Sequence, residues 1–465
     1  MIKKFLLLSV VASQLMISCS SEDNPNETTP EPKPETEQTL QEQIAALLKQ
    51  PYSSLTPAQQ KTKLEAEANE MLVQLDKTKS SGAIEALENL NNLLQVSKVD
   101  IFNGKNDNKV EDILQISGVY GIYTWNNTAK TWVKTASSTE LKFVFPAKKS
   151  QTANNAVFSA KSISSDIKVK YTDYNGNWSY DDKTNTWVLS NHVNDYFFLP
   201  TSSDAVLTID GTQSATFVQT AKYANGKEVP TDFSYKMVLN DGYTWEMSSV
   251  KAVQNTAKAA LTYNGKTLID FNGASNAEID KLLDNQELVQ YRGKANGLAT
   301  LLDNFVIVAD MDLAGQASDD TALEKTVVNP GYPDYSKSTT DFKAGYAALN
   351  AYYKKYSEGT AANFNKNIKL ILVSKKDGTK IADVIKRSKE NYNYYYTIPV
   401  WTVNEWYPQG TWMGTNEEFK MQDYTETYFL KFNDNTEAEM SVYFSEGFNT
   451  FEAKFEDFLA AFNRK

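Results

Sequence analysis

Carboxylates are the groups with which this chain could do chemistry. Its 465 residues include 58 Asp and Glu but a single histidine and a single cysteine. His192 lies in Leu189-Ser190-Asn191-His192-Val193, just before an aromatic strand, and reads as a strand-end residue. With no second histidine, Ser-His and His-based acid–base catalysis lack material. Cys19 has no partner for an intramolecular disulfide and cannot build a thiolate metal cluster. Carboxylate-only hydrolysis of a glycosidic bond needs two acids ~5 Å apart, one as acid/base and one as nucleophile. Glu405, within Trp401-Thr402-Val403-Asn404-Glu405-Trp406-Tyr407, is a candidate carboxylate, with Glu417, Glu418 or Asp423 following it in the chain. The plainer account is an aromatic strand with one solvent-facing Glu. A second acidic group, Asp310, Asp312, Asp319, Asp320 and Glu324, follows the apolar Phe305-Val306-Ile307-Val308. Oxygen-rich loops can hold Ca²⁺, although a solvated acidic loop needs no metal.

Aromatic rings are the other resource: 26 Tyr, 22 Phe and 8 Trp. The densest run is Tyr392, Tyr394, Tyr395, Tyr396, Trp401, Trp406, Tyr407 and Trp412. Flat rings on one strand face could stack on a glycan, with Trp401, Trp406, Tyr407 and Trp412 as the ligand-binding candidates. The favoured expectation is packing, with these rings covered by the last helix.

Cys19 has a more definite use. Lys3 and Lys4 give a basic start, Phe5 to Ile17 is apolar, and Leu15-Met16-Ile17-Ser18-Cys19 closes the run. Roughly 13 apolar residues are too few for a spanning helix, which takes ~20. This segment resembles a bacterial lipoprotein signal, and the Ser20-Ser21-Glu22-Asp23 that follows resembles the export tag of Bacteroidota surface lipoproteins. The resemblance implies cleavage before Cys19 and acylation of its thiol, by palmitate or a similar chain. It also implies an outer-membrane address at the cell surface, with the periplasmic face as the alternative. Asp320-Thr321-Ala322 matches the short O-glycosylation acceptor pattern of exported proteins in the same group, which would make Thr321 the acceptor. Asn404-Glu405 resembles the strand-end acid/base pair of many retaining glycosidases. Asp173-Tyr174-Asn175-Gly176-Asn177 resembles a calcium loop, but its glycine falls one place early and Thr184 stands where a Glu belongs, so a turn is expected.

From Asn24 to Thr39 four prolines and four glutamates alternate with one lysine. Such a segment buries no apolar area and self-repels, so residues 19–37 should form an extended tether reaching roughly 60 Å. Loss of Lys3 and Lys4 with the signal at residues 1–18 moves the formal net charge from -11 to -13. An acidic surface argues against nucleic acid and against electrostatic docking on anionic lipid.

The elements that must position these residues follow from periodicity. Residues 38–100 read as helices: Leu40, Ile44, Leu47 and Leu48 share a stripe, Thr56-Pro57 is a start signal, and Ile84, Leu87, Leu90 and Leu94 repeat the helical spacing. From 101 to 275 the period is two. Two hairpins are related, each placing an aromatic seven residues before a Thr-Trp-Val tryptophan, so that Trp125 should face Trp132 and Tyr180 should face Trp187. Asn264-Gly265 supplies a tight turn, and Asn240-Asp241-Gly242 and Asp377-Gly378 mark others. Residues 276–465 read as mixed. Helices are expected near 276–289 and 340–357, with Gly359 as the second one's cap, and Ala438 to Phe444 as a strand. A final amphipathic helix should carry Phe448, Phe451, Phe455, Phe458 and Phe462. The expected class is α+β with mostly antiparallel sheet, neither TIM barrel nor Rossmann fold nor transmembrane barrel.

The reading favoured is a non-catalytic glycan- or protein-binding lipoprotein without cofactor, attached through Cys19 and partnered by a glycan or an outer-membrane protein. The alternatives are a glycoside hydrolase using Glu405 and a carrier of an apolar ligand in a curved sheet.

Overall fold

The computed structural model describes residues 39–76, 81–97, 99, 110–172, 177–190, 194–278 and 292–444. The signal, Cys19, the tether, His192, residues 173–176, most of the expected 276–289 helix and the Phe-striped C-terminal helix lie outside them.

The chain is mostly β. One sheet of sixteen strands dominates, and the described residues hold seven helices, fewer than an α+β fold implies. Four of the helices come first: α1 (Leu40–Leu48), α2 (Pro57–Asp76), α3 (Gly82–Val96) and α4 (Val110–Leu114). Then come β1 (Gly121–Asn126), β2 (Thr131–Thr135), β3 (Leu141–Phe145) and the long β4 (Ala156–Thr172). The separate hairpin β5 (Asn177–Asp181) and β6 (Thr186–Ser190) precedes β7 (Asn194–Ile209), which pairs back on β4. From there the sheet is a simple meander: β8 (Thr212–Lys222), β9 (Asp232–Leu239), β10 (Tyr243–Val250), β11 (Asn255–Tyr263), β12 (Lys266–Ser275), β13 (Lys294–Leu301) and β14 (Phe305–Asp312). Helices α5 (Leu313–Thr326) and α6 (Phe342–Asn367) interrupt it. It resumes as β15 (Ile368–Ser374), β16 (Thr379–Thr402), β17 (Thr411–Lys431) and β18 (Glu437–Glu439), and ends in the turn α7 (Met440–Tyr443). Only β1 and β3 pair in parallel; every other ladder is antiparallel. No barrel closes.

Turn chemistry explains the meander. Asn264 and Gly265 both take positive φ (48° and 76°), which a two-residue hairpin of this twist requires. The two related hairpins form as expected, with Trp125 opposite Trp132 and Tyr180 opposite Trp187. The sheet also runs unbroken across residue 275, since β12 pairs with β13 along seven residues.

Burial alternates with the pleat. On β14, Phe305 and Ile307 join the main core, whereas Val306 and Val308 face the other way and meet Ile44 of α1 with Ile371 and Val373. Strands covered on both faces read as continuous apolar runs, as Phe305-Val306-Ile307-Val308 does. The main core lies between the opposite face and α2–α4. Thr56 starts α2 with a reciprocal cap, its Oγ1 accepting from Gln59 N–H while Gln59 Oε1 accepts from Thr56 N–H (2.9 Å). The helix then crosses one end of the sheet, hairpin by hairpin. Lys63 pairs with Asp377, Asn304 donates to Glu67 (2.7 Å), Lys266 pairs with Glu70, and the Tyr243 hydroxyl donates to the Gln74 carbonyl. Successive contacts are about one helical turn apart, ~5.4 Å, yet successive hairpins are about 9.6 Å apart. The two repeats stay in phase because the sheet curls towards the helix. Both margins reach the same helical layer: Trp132 Nε1 donates to the Leu93 carbonyl (3.3 Å), and Tyr443 to that of Pro57 (2.7 Å).

Two elements differ from expectation. Helix α6 does not stop at Gly359 but runs on to Asn367; Gly359 is where α6 approaches α5, and a Cβ there would strike the Leu323 side chain. The expected strand 438–444 is three residues of β18 and then the helical turn α7, because Phe444 N–H bonds back to Met440.

β18 is latched electrostatically. Arg387 holds Glu437 through two bonds (2.6 and 3.1 Å), and Lys389 pairs with Glu439. These cations hold both carboxyls below the usual glutamate range. A depressed folded value gives a contribution that is complete above the ordinary glutamate pKa of about 4.3 and is lost as pH falls through the folded value. Amide exchange should therefore show β18 and α7 losing protection below about pH 4 before the main core does. Simultaneous loss would mean that the latch does not hold them.

Candidate functional site

The strand pair β16–β17 outgrows the sheet. β15 accompanies β16 only as far as Val384, and β18 accompanies β17 only over Phe429–Lys431. Beyond these points a two-stranded arm continues for about 18 residues a side, roughly 60 Å. Helix α6 lies along one face of it. Phe342, Tyr346 and Leu349 pack with Ile398 and Met421, and Tyr394, Tyr396, Trp412 and Phe419 join them. A bare ribbon this long would offer two unpaired edges to any other strand. Two amides of α6 occupy part of them. Asn350 donates to the Lys420 carbonyl and accepts from Gln422 N–H (both 3.0 Å), and Asn365 does the same to the carbonyl and N–H of Lys386 (both 2.8 Å). Fifteen residues apart, they leave the helix about 60° apart, so each reaches a different edge.

At the outer end the ring of Trp412 is the anchor. It sits 4.7 Å from Phe342 and 5.4 Å from its cross-strand partner Trp401, and its Nε1 donates to the Tyr335 carbonyl (2.9 Å). Asn404 then closes the turn, its Oδ1 accepting from the N–H of Trp406 (3.0 Å) and Tyr407 (2.9 Å). Gly410 has φ +83°, and any Cβ there would enter the Trp401 ring. The result is a tight tip on which Trp406 is 87 % exposed, with Val403 and Tyr407 beside it. Of the four rings expected to bind ligand, Trp406 and Tyr407 are presented and Trp401 and Trp412 hold the tip in shape. Within the described residues α6 covers Tyr394, Tyr396 and Trp412 of the aromatic run, while Tyr392 and Tyr395 are exposed.

Below the tip, phenols converge. Tyr353 and Tyr396 donate to Tyr332, which holds that hydroxyl below the ordinary phenol value. Tyr396 is pushed up to about 12, first by the bond it donates to Tyr332.

The carboxylate candidates fall elsewhere. Glu405 is exposed in the tip turn. Glu417 pairs with Lys343 (2.5 Å) and Asp423 accepts from Asn391 (2.9 Å), while Glu418 lies across from Thr397. Even Glu417, the nearest of the three in sequence, is five residues up the strand from Trp412, about 17 Å. The other acids are held by the scaffold. Asp310 accepts from Asn296 (2.9 Å), Asp312 caps α5 through Gly315 N–H (2.8 Å), and Asp320 accepts from Asn363 (2.9 Å). Asp319 takes both Lys366 (2.8 Å) and Asn367 (2.6 Å), which hold its carboxyl below the usual range. Among the described residues no three His, Cys, Asp or Glu side chains converge on a metal position. Thr321 lies within α5, its hydroxyl donating to the Ala317 carbonyl (2.8 Å).

Two features had no sequence prediction: the edge-capping amides of α6, and the exposure of the β5–β6 hairpin. A cavity of about 220 Å³ lies between α4 and β3–β4, lined by Ile113, Val119, Leu141, Ala160, Ser162 and Ser203 among others. Comparison of the chain with protein-family models, curated proteins and solved structures finds no match in any of the three.

Proposed function

We propose that this chain is a lipid-anchored envelope protein, not an enzyme, that recognises a ligand beyond the membrane with the tip of the β16–β17 arm. The observation that carries this reading is Trp406, nearly fully exposed at the end of a stiffened arm. Folding has spent a helix, an aromatic cluster and a glycine turn on holding that ring away from the protein body. Exposed tryptophan of this kind is a common anchor of recognition surfaces. Attachment rests on the lipoprotein-like segment around Cys19. The described chain enters the fold at α1, which packs on β13–β15 near the hairpins at 302–304 and 375–378. The tip at 403–410 is at the opposite end of β16 from the 375–378 hairpin. Helices α2–α4 pack over the main-core face of the sheet.

A photo-cross-linking amino acid placed at 406, in cells that produce the protein, tests this. Cross-links to an envelope component are expected at 406 and not at Val133, an exposed position on β2. Equal yields at both positions would remove the reading. Metabolic palmitate label should be incorporated and should vanish in Cys19→Ala.

A further inference from the structure

Tryptophan is exposed at two places in the described structure: Trp406 on the arm tip, and Trp187 (65 %) on the β5–β6 hairpin. The second place is also the end of an arm. β3 accompanies β4 no further than Ala160, and β8 accompanies β7 back to Ser202. Beyond these points β4 and β7 stay paired, kinked by a register shift at Ser164–Lys168, with Ser117 bridged to Phe198 and Val169 and Phe197 still in the core. Between β4 and β7 in the chain stands the hairpin β5–β6.

Strand parity fixes the end of the sheet from which the two arms leave. Every ladder from β7 to β17 is antiparallel between chain neighbours, so strand direction alternates without exception. β4 runs outward to its hairpin, β7 runs back, and nine strand steps later β16 runs outward again. Both tips therefore leave the same end of the sheet, opposite the end that α2 crosses. Nine steps of about 4.8 Å put some 43 Å of arc between the bases of the two arms.

The hairpin is built like one whose purpose is visible. β1–β2 and β5–β6 each turn through a left-handed residue, Lys130 (φ 54°) or Asn185 (φ 57°). Each then sets an edge-to-face ring pair: Trp125–Trp132 at 5.2 Å and Tyr180–Trp187 at 5.4 Å. In the first copy that pair is consumed by the core, with Trp125 3 % exposed and Trp132 bonded to α3. In the second copy Tyr180, Trp187 and Val188 are all exposed.

We infer that the two tips bind one extended, uncharged polysaccharide at two points along its length. This rests on the arm-tip reading above and names its ligand class. Each tip offers a flat ring among amides and hydroxyls, Thr184 and Thr186 at one and Asn404, Gln409 and Thr411 at the other, which suits sugar faces and sugar hydroxyls. The charges close to these rings are Asp181, Asp182 and Glu405 against Lys183, so an anionic polymer or lipid head group is repelled. Two weak sites joined by one polymer gain by effective concentration, which multiplies affinity without new contacts.

Affinity electrophoresis of the full lipidated chain in detergent, through gels cast with dextran, galactomannan or arabinoxylan, and with alginate as the anionic comparison, tests this. Retardation by at least one neutral polymer and none by alginate is expected. Trp187→Ala and Trp406→Ala, both surface changes that should leave thermal unfolding unaltered, should each weaken polymer binding about 100-fold. A short oligosaccharide of the same polymer should bind twice per chain, once in either variant and not at all in the double variant. If no neutral polymer retards the chain, or alginate does so equally, the ligand class is wrong, while the cross-linking result at 406 stands independently. If Trp406→Ala weakens binding and Trp187→Ala does not, recognition uses one arm and the two-point inference falls.

Discussion

Replacing Trp412 by alanine is expected to cost the β16–β17 arm about 3 kcal/mol, and to do so locally. A large aromatic truncated in a packed site costs roughly 3–5 kcal/mol, and Trp412 is only partly buried, which puts it at the low end. The change removes the edge-to-face contacts with Phe342 and Trp401, and strips the Tyr335 carbonyl of its indole donor. The loss cannot spread easily, because among the described residues the outer arm touches α6 and the 327–341 loop but pairs with no third strand. Amide exchange should quicken across 391–402, 411–422 and 327–341, with the core beneath α2–α4 as protected as before. Trp406→Ala, a few residues away, should leave exchange unchanged. Uniform loss across the sheet in Trp412→Ala would show that arm and body unfold as one unit.

Asn304→Leu should unfold the body rather than the arm. Asn304 is completely buried at the β13–β14 turn and serves three elements at once. Its Oδ1 accepts from Lys376 N–H (2.9 Å) and the Ser374 hydroxyl (3.2 Å), and its Nδ2 donates to Glu67 of α2 (2.7 Å). Leucine fills similar space but leaves these groups without their partner. A buried group so abandoned costs about 1–3 kcal/mol, more where a charge is involved, so a total of about 4 kcal/mol is expected in denaturant titration. Asn304→Asp separates hydrogen bonding from packing. It keeps the acceptor and sets a second carboxylate against Glu67, so its cost should shrink between pH 7 and pH 5 as one proton comes to be shared. A Leu variant within 1 kcal/mol of the parent would mean that water replaces the amide.

What could be read in the chain was local. Asn264-Gly265 specifies its turn because few residue pairs accept positive φ twice, and the seven-residue aromatic spacing specifies which rings meet across each hairpin. Helix α1 followed from its apolar stripe. The extent of α6 was not legible, because Gly359 carries the mark of a helix end and its actual use, close approach to Leu323, depends on α5. For the candidate site the residues were visible and their division was not. Trp401, Trp406, Tyr407 and Trp412 are alike in sequence, and only the fold of the turn decides which two face outward. The second exposed ring pair was hidden for a related reason: Tyr180–Trp187 and Trp125–Trp132 share a spacing but differ in whether a helix covers them.

The order of strands in the sheet is almost the order in which the ribosome makes them. Each strand from β8 onward finds a partner in the strand just before it, so the chain can add strands from the N-terminal side, mostly by short closures, which is the fast regime; the helices α5 and α6 make the β14–β15 closure the long one. Helices α2 and α3 are the exception. They are synthesised first, yet the groups that satisfy α2 arrive over nearly four hundred following residues, the last being Tyr443 of α7. Until then their apolar faces are exposed to whatever else is in the compartment. The demand on a holding chaperone should therefore fall on the first hundred residues, and lapse only when the last strand is in place.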